Sequence, residues 1–153
     1  MGGSILGNRV VRKEDPKFLT TGGKYVDDLF DEPLLAGALH VTYVRSTVAH
    51  GQIVSIETST AKDLDGVVAV FTAESLGLEL MPAGLNKSAK RALLARDKVR
   101  YVGEPLAAIV ATTRAAGEDA AETVVVDYKV LPAVVDVREA AASTVHLFEE
   151  VGS

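Results

Sequence analysis

The sequence contains no cysteine, and only 5% of its 153 residues are aromatic. Without thiols the chain itself cannot form a disulfide, a thiolate-bound iron–sulfur cluster or a cysteine-based zinc site. A hydrophobic content of 48% with few rings means that a core has to be built from valine, leucine, isoleucine and alanine. These features predict one globular domain, with or without a tail, and they agree with a reducing compartment.

Long apolar runs are also missing. The run at residues 106–111 is far too short to cross a bilayer. The N-terminus lacks the basic stretch followed by an apolar stretch that a secretory signal would have. The sequence therefore predicts a soluble, cytoplasmic protein.

The charge is distributed unevenly along the chain. The net charge is −5, which argues against general nucleic-acid binding, but residues 87–100 alone carry +5. This basic stretch is either a solvated helix and loop or a docking surface for an acidic partner subunit. Nucleic acid is disfavoured here because the stretch contains no aromatic residue on which a base could stack.

No set of residues has the spacing of a catalytic, cofactor or metal site. The histidines, His40, His50 and His146, lack metal-ligand spacing. The paired carboxylates are adjacent in sequence, so their side chains do not face each other on a helix or strand. Neither a serine nucleophile motif nor a phosphate-binding glycine loop is present. We therefore predict no catalytic, cofactor-binding or metal-binding residue in this chain.

Apolar periodicity predicts strands and helices in an order typical of an α+β sandwich, with helices packed on one sheet face. A kink is expected at residues 103–105, where one long strand bends or two strands meet. The run at 67–71 is expected to be a central strand. Strands are predicted at residues 38–45, 52–58, 67–71, 99–102, 106–110, 123–130 and 133–135, and helices at 61–64, 88–96, 114–122 and 138–142.

Two places are candidate interface or structural positions. His50 follows Arg45 by five residues at a turn between strands. It is either a turn histidine whose ring bonds nearby backbone or a contact residue at a domain or subunit interface. The sequence Gly103-Glu104-Pro105 is either a bulge that turns the strand or a contact loop in which Glu104 makes an inter-domain hydrogen bond.

Five motifs follow one another in an order that resembles the N-terminal α/β-hammerhead domain of one enzyme family. That family comprises the molybdenum-cofactor-carrying large subunits of carbon monoxide dehydrogenases, xanthine dehydrogenases and aldehyde oxidases. Residues 77–93 depart from the family pattern. The motifs are an R-x-E-D and L-T-x-G-G-x-Y-x-D-D opening within residues 7–29, R-S-x-x-A-H at 45–50, D-G-V-V-A-V-F-T-A-E at 65–74, V-R-Y-V-G-E-P-x-A at 99–107 and A-E-T-V-V-V-D-Y-K-V-L-P-A-V-V-D at 121–136.

The resemblance implies both a fold and a role. The fold would be an α/β-hammerhead, an α+β domain with a mixed sheet and helices packed on one face. The enzymes oxidise carbon monoxide, an aldehyde or an N-heterocycle with water as the oxygen source. Their molybdopterin cofactor lies in the domains that follow the hammerhead, and FAD and [2Fe–2S] clusters lie in partner subunits. The chain would thus be a non-catalytic scaffold domain, inactive alone, that packs against a cofactor-binding domain.

The expected organisation is an irregular segment at residues 1–23, a single hammerhead domain at 24–142, and a tail or linker at 143–153 leading to a missing cofactor-binding domain. Among the enzyme types, carbon monoxide dehydrogenase is preferred. The alternative is a stand-alone assembly or binding module that pairs with a separate chain. A third hypothesis, a small-molecule-binding domain unrelated to redox chemistry, would require a deep apolar pocket.

Overall fold

The computed structural model describes residues 12–23, 25–29, 32–83, 86–142 and 145–148, and the chain divides into two units, Met1–Ala38 and Leu39–Ser153. The first unit contains a short helix α1 at Asp15–Thr20, where Pro16 stands in the first turn. Two 3-10 turns follow at Val26–Asp28 and Pro33–Leu35. None of the described helices is long and apolar enough to span a membrane.

The second unit contains eight strands and three helices within the described residues. The strands are β1 His40–Arg45, β2 Gly51–Glu57, β3 Val67–Thr72, β4 Met81–Ala83, β5 Asn86–Arg91, β6 Lys98–Val99, β7 Pro105–Ala111 and β8 Val125–Val130, and the helices are α2 Ser59–Lys62, α3 Arg114–Thr123 and α4 Val137–Ala141.

The strands form two three-stranded sheets and a hairpin, and all described pairs are antiparallel. The first sheet has the order β1-β7-β3, the second has the order β6-β2-β8, and β4 pairs with β5. The prediction that β3 is central was wrong, because β7 occupies that place. An unbroken apolar run shows that both faces of a strand are apolar, not that the strand has a neighbour on each edge.

Helices α2 and α3 pack on one face of the first sheet, which confirms the predicted α+β layering. Buried Ala61 of α2 and Ala120 of α3 form a core cluster with Val70 of β3 and Ile109 of β7. The Thr113 hydroxyl accepts a hydrogen bond of 3.1 Å from Ala116 N–H and caps α3. The second sheet has its own cluster, formed by Ala95, Val99 and Leu106.

Several predicted elements are confirmed within a few residues at their ends: the strands at 38–45, 52–58, 67–71 and 123–130 and the helices at 114–122 and 138–142. Others were wrong. Residues 88–96 form β5 and a loop instead of a helix, and residues 133–135 are not a strand. The helix expected at 61–64 is confirmed as well, although it begins at Ser59 and ends at Lys62. Of the two alternatives for residues 99–111, the structure has the second: two strands, β6 and β7, which belong to different sheets.

Candidate functional site

Residues 100–104, the crossover segment, carry the chain from the second sheet into the first. Gly103 lies within this segment with a φ of 88°, in the left-handed region that favours glycine. A Cβ built at Gly103 would meet no heavy atom within 4 Å. The backbone conformation, rather than crowding, therefore explains why glycine stands there.

Glu104 is the most unusual residue of the crossover segment because its side chain is buried, with 2% exposed. Its Oε2 accepts a hydrogen bond of 2.6 Å from the backbone N–H of Arg100, and its own N–H donates to Tyr101 O at 3.3 Å. The next carbonyl, that of Pro105, accepts from Ala95 N–H at 2.7 Å. The buried Glu104 side chain thus bonds the two ends of the crossover segment to each other, and this hydrogen bond lies within the unit.

Arg45 and Ser46, at the end of β1, lie directly against the crossover segment. Gly103 N–H donates to Ser46 O at 2.8 Å, and Ser46 N–H donates to Glu104 O at 2.9 Å. The Arg45 guanidinium donates from Nη1 to Gly103 O at 3.0 Å and lies 5.3 Å above the Tyr43 ring. The structure therefore brings four of the five candidate residues together: Arg45, Gly103, Glu104 and Pro105.

His50 is held elsewhere, beside the end of β8. Its ring is buried, and Nδ1 lies 2.6 Å from Pro132 O, so Nδ1 carries the proton because a carbonyl can only accept. Its backbone carbonyl accepts from Leu131 N–H at 3.0 Å. Nε2 is buried and has no hydrogen-bond partner among the described residues.

Arg100 has a role that the sequence did not indicate. Its Nε donates to Leu147 O at 3.0 Å, and its guanidinium lies 4.7 Å from the Phe148 ring, so it ties residues near the end of the chain to the crossover segment. In the same basic stretch, Arg91 donates to the Tyr101 hydroxyl at 2.8 Å. Arg100 lies three residues before Gly103-Glu104-Pro105, but the sequence gives no indication of its partners Leu147 and Phe148.

The described residues do not fit a molybdopterin cofactor or a metal ion. No group of three or more histidine, aspartate or glutamate side chains among them could hold a metal. A cleft of about 360 Å³ is lined by Glu74 and Asp97 together with Arg96, whose Nε lies 3.7 Å from Asp97 Oδ1. A cleft with two carboxylates and one paired arginine is unsuited to the phosphate of a pterin cofactor. The hydrogen bonds of the crossover segment, by contrast, fix how the two sheets are connected.

Comparison with known proteins agrees with this arrangement. Residues 20–132 match the family model described as aldehyde oxidase and xanthine dehydrogenase, a/b hammerhead domain. The chain is 40% identical over 144 residues to the nicotine 6-hydroxylase large subunit of Paenarthrobacter nicotinovorans, covering 89% of this chain and 17% of that one. It is 42% identical over 134 residues to the carbon monoxide dehydrogenase large chain of Afipia carboxidovorans, covering 86% and 16%.

A solved structure gives the same result for the fold. The reconstituted CO dehydrogenase from Oligotropha carboxidovorans superposes with a TM-score of 0.73 at 42% identity, covering 88% of this chain and 16% of that one. The chain thus spans about a sixth of the length of the relatives it matches. It belongs to the family of aldehyde oxidase and xanthine dehydrogenase a/b hammerhead domains.

Proposed function

We propose that this chain is the N-terminal, non-catalytic domain of a molybdenum hydroxylase large subunit. The enzyme would oxidise carbon monoxide, an aldehyde or an N-heterocycle with water as the oxygen source, in the cytoplasm. The observation that carries the proposal is the match of residues 20–132 to the hammerhead family, together with relatives named as large subunits or large chains of such enzymes.

The role of the domain would be to scaffold and assemble the subunit. In this proposal the molybdopterin cofactor is held by other domains of the same polypeptide, and FAD and [2Fe–2S] clusters by partner subunits. The buried polar groups support a scaffold role, because Glu104 bonds the Arg100 backbone and His50 bonds the Pro132 carbonyl. Arg45, Gly103 and Pro105 would share that role by fixing the connection between the two sheets.

The same proposal includes the division of the chain into an irregular segment at 1–23, a hammerhead domain at 24–142 and a linker at 143–153. It also favours the carbon monoxide dehydrogenase type, which the 42% identity to a carbon monoxide dehydrogenase large chain supports. The relative named nicotine 6-hydroxylase large subunit, at 40% identity, supports an N-heterocycle as a comparable candidate substrate.

The test is to sequence the native gene beyond the codon for Ser153 and to purify its product with whatever copurifies. We expect an open frame of several hundred further codons, FAD-binding and iron–sulfur subunits in the complex, and stoichiometric molybdenum. A stop codon directly after Ser153 would instead favour the stand-alone module. A complex without molybdenum would contradict the proposed enzyme class.

A further inference from the structure

Within the part of the chain that the structure describes, helices cover one face of the first sheet and not the other. Side chains alternate between the two faces along each strand, and residues in register across the strands share a face. Val44, Val70 and Ile109 point toward α2 and α3 and belong to their core cluster. The opposite side, here called the outer face, consists of two cross-strand rows: Val41, Val110 and Ala69, and Tyr43, Ala108 and Phe71.

The outer face is apolar and partly open to solvent, most of all along β1. Val41 is 54% exposed and Tyr43 is 46% exposed, and none of the six side chains is charged. An antiparallel sheet with one face in water normally places polar residues on that face. The outer face therefore has the composition of a surface that is covered in the native protein.

One end of the outer face, at Leu106, is covered by the second sheet. Leu106 lies two residues before Ala108 on the same side of β7, and it is fully buried in the core cluster of the second sheet. Beyond it, Ala108 and Val110 are only partly buried. Burial on this side of β7 therefore decreases from Leu106 toward Val110.

The charge of Arg45, at the edge of the outer face, indicates which side chains an element covering that face would carry. Arg45 lies over the Tyr43 ring and forms no ion pair with any residue that the structure describes. A covering element with apolar side chains and one carboxylate would fill the face and pair with Arg45. A charge-free apolar face is typical of a permanent interface rather than a transient one.

We propose that the outer face is the surface on which the rest of the large subunit docks, through an apolar element that carries a carboxylate for Arg45. This rests on the proposed function, since the relatives are about six times longer than the matched region. A segment of the same polypeptide reaches the face at high effective concentration, which suits a permanent contact.

The test uses the full-length subunit in its native complex and exploits the absence of cysteine from these 153 residues. Val41→Cys places a thiol on the outer face, and Val125→Cys is the matched control, because Val125 is 58% exposed and also lies on an edge strand. The rate of alkylation is measured by peptide mass spectrometry in the native and the urea-unfolded protein. We expect labelling at position 41 to be slowed at least about tenfold more by folding than labelling at position 125.

A second measurement needs no substitution. Hydroxyl-radical oxidation of the wild-type complex compares Tyr43 with Tyr101, which is 42% exposed and also lies beneath an arginine. We expect Tyr43 to be protected at least about fivefold more than Tyr101.

Four outcomes would overturn the inference. Unprotected position 41 and Tyr43 would show that the face is open. Protection lost when the FAD and iron–sulfur subunits are removed would assign it to another subunit, and protection that depends on protein concentration would assign it to a second copy. Protection that survives deletion of all residues after Ser153 would assign it to these 153 residues themselves.

If the complex contains molybdenum and is active yet the face is unprotected, only this inference fails. If the gene ends at Ser153, the proposed function fails first.

Discussion

Gly103 shows how one residue sets the path of the chain between two sheets. Its φ of 88° is strained for a side-chain-bearing residue, and a Cβ there would touch nothing within 4 Å. We expect Gly103→Val to lower the free energy of unfolding by about 1–3 kcal/mol, entirely through the backbone. Urea denaturation measures this change. Gly103→Asn is the control, because asparagine tolerates the left-handed region and should lose less. Equal stability of Gly103→Val and wild type would contradict the prediction.

The Glu57 carboxylate makes the stability of the folded protein depend on pH. The Ser59 N–H donates to Glu57 Oε1 at 2.8 Å, and this bond, followed by one from the Ser59 hydroxyl, lowers the pKa of Glu57 below its ordinary 4.5. A lowered folded-state pKa stabilises the protein above the unfolded value, and the gain is lost as the pH falls through the folded value. We expect Glu57→Gln to melt below wild type at neutral pH and to match it in acid, once the pH has fallen below the folded-state pKa of Glu57.

The control for Glu57 is Glu79→Gln, an exposed glutamate in the loop after β3. Thermal melts of the three proteins at both pH values separate the local bond from a general effect of removing one negative charge. A Glu57→Gln deficit that persists unchanged in acid would mean that the carboxylate is not its source.

Backbone-restricted residues were the part of the candidate site that sequence could identify. Glycine and proline are typical of places where a strand turns, so the sequence alone identifies residues 103–105 as a candidate. His50 was singled out too, but its partner Pro132 lies 82 residues away. No local pattern encodes a bond of that span. The link from Arg100 to Leu147 and Phe148 escaped prediction for the same reason.

At the scale of elements, the packing of α3 on β1 depends on Gly117. Alanine is a better helix former by about 1 kcal/mol, so sequence alone suggests that glycine weakens this helix. A Cβ at Gly117, however, would lie 2.6 Å from Thr42 Oγ1 and 3.3 Å from Thr42 Cβ. We expect Gly117→Ala to destabilise the unit by about 1–3 kcal/mol because the overpacking outweighs the gain in propensity.

A double-mutant cycle checks the cause. Thr42→Ala removes the nearer atom, so the combined variant Gly117→Ala with Thr42→Ala should be more stable than the sum of the single changes predicts. Denaturant unfolding of the four proteins gives the coupling free energy. Stabilisation by Gly117→Ala alone would show that helix propensity prevails and that α3 moves away from β1 at little cost.

The predicted secondary structure was wrong where pairing with a neighbouring strand outweighed the local helix propensity. Residues 88–96 are rich in lysine, arginine, alanine and leucine, all good helix formers, yet Asn86–Arg91 pairs with Met81–Ala83 as a hairpin. Helix α3 was predictable because both a capping threonine and an apolar stripe lie within one segment. The architecture of two sheets was less so, since strand order depends on contacts between distant segments.

At the scale of the whole molecule, the proposed function leads to one expectation. The isolated 153-residue chain should be colourless, contain no stoichiometric molybdenum and lack hydroxylase activity, since the proposal places the molybdopterin cofactor in other domains of the subunit. Elemental analysis of the purified chain measures the metal content directly, and the native complex is the positive control. Stoichiometric molybdenum in the isolated chain would contradict the scaffold role.

The strand order has a consequence for synthesis on the ribosome. In the two three-stranded sheets no described strand pairs with its neighbour in sequence: β1 and β3 both pair only with β7, and β2 pairs with β6 and β8. His40 is in register with Ala111, so β1 can complete its pairing only after 71 more residues have been synthesised. At typical translation speeds that delay is roughly 4 to 14 s. During most of that delay β1, β2 and β3 lack their partner strands, so the nascent chain exposes unpaired strand edges until β6 and β7 have been made.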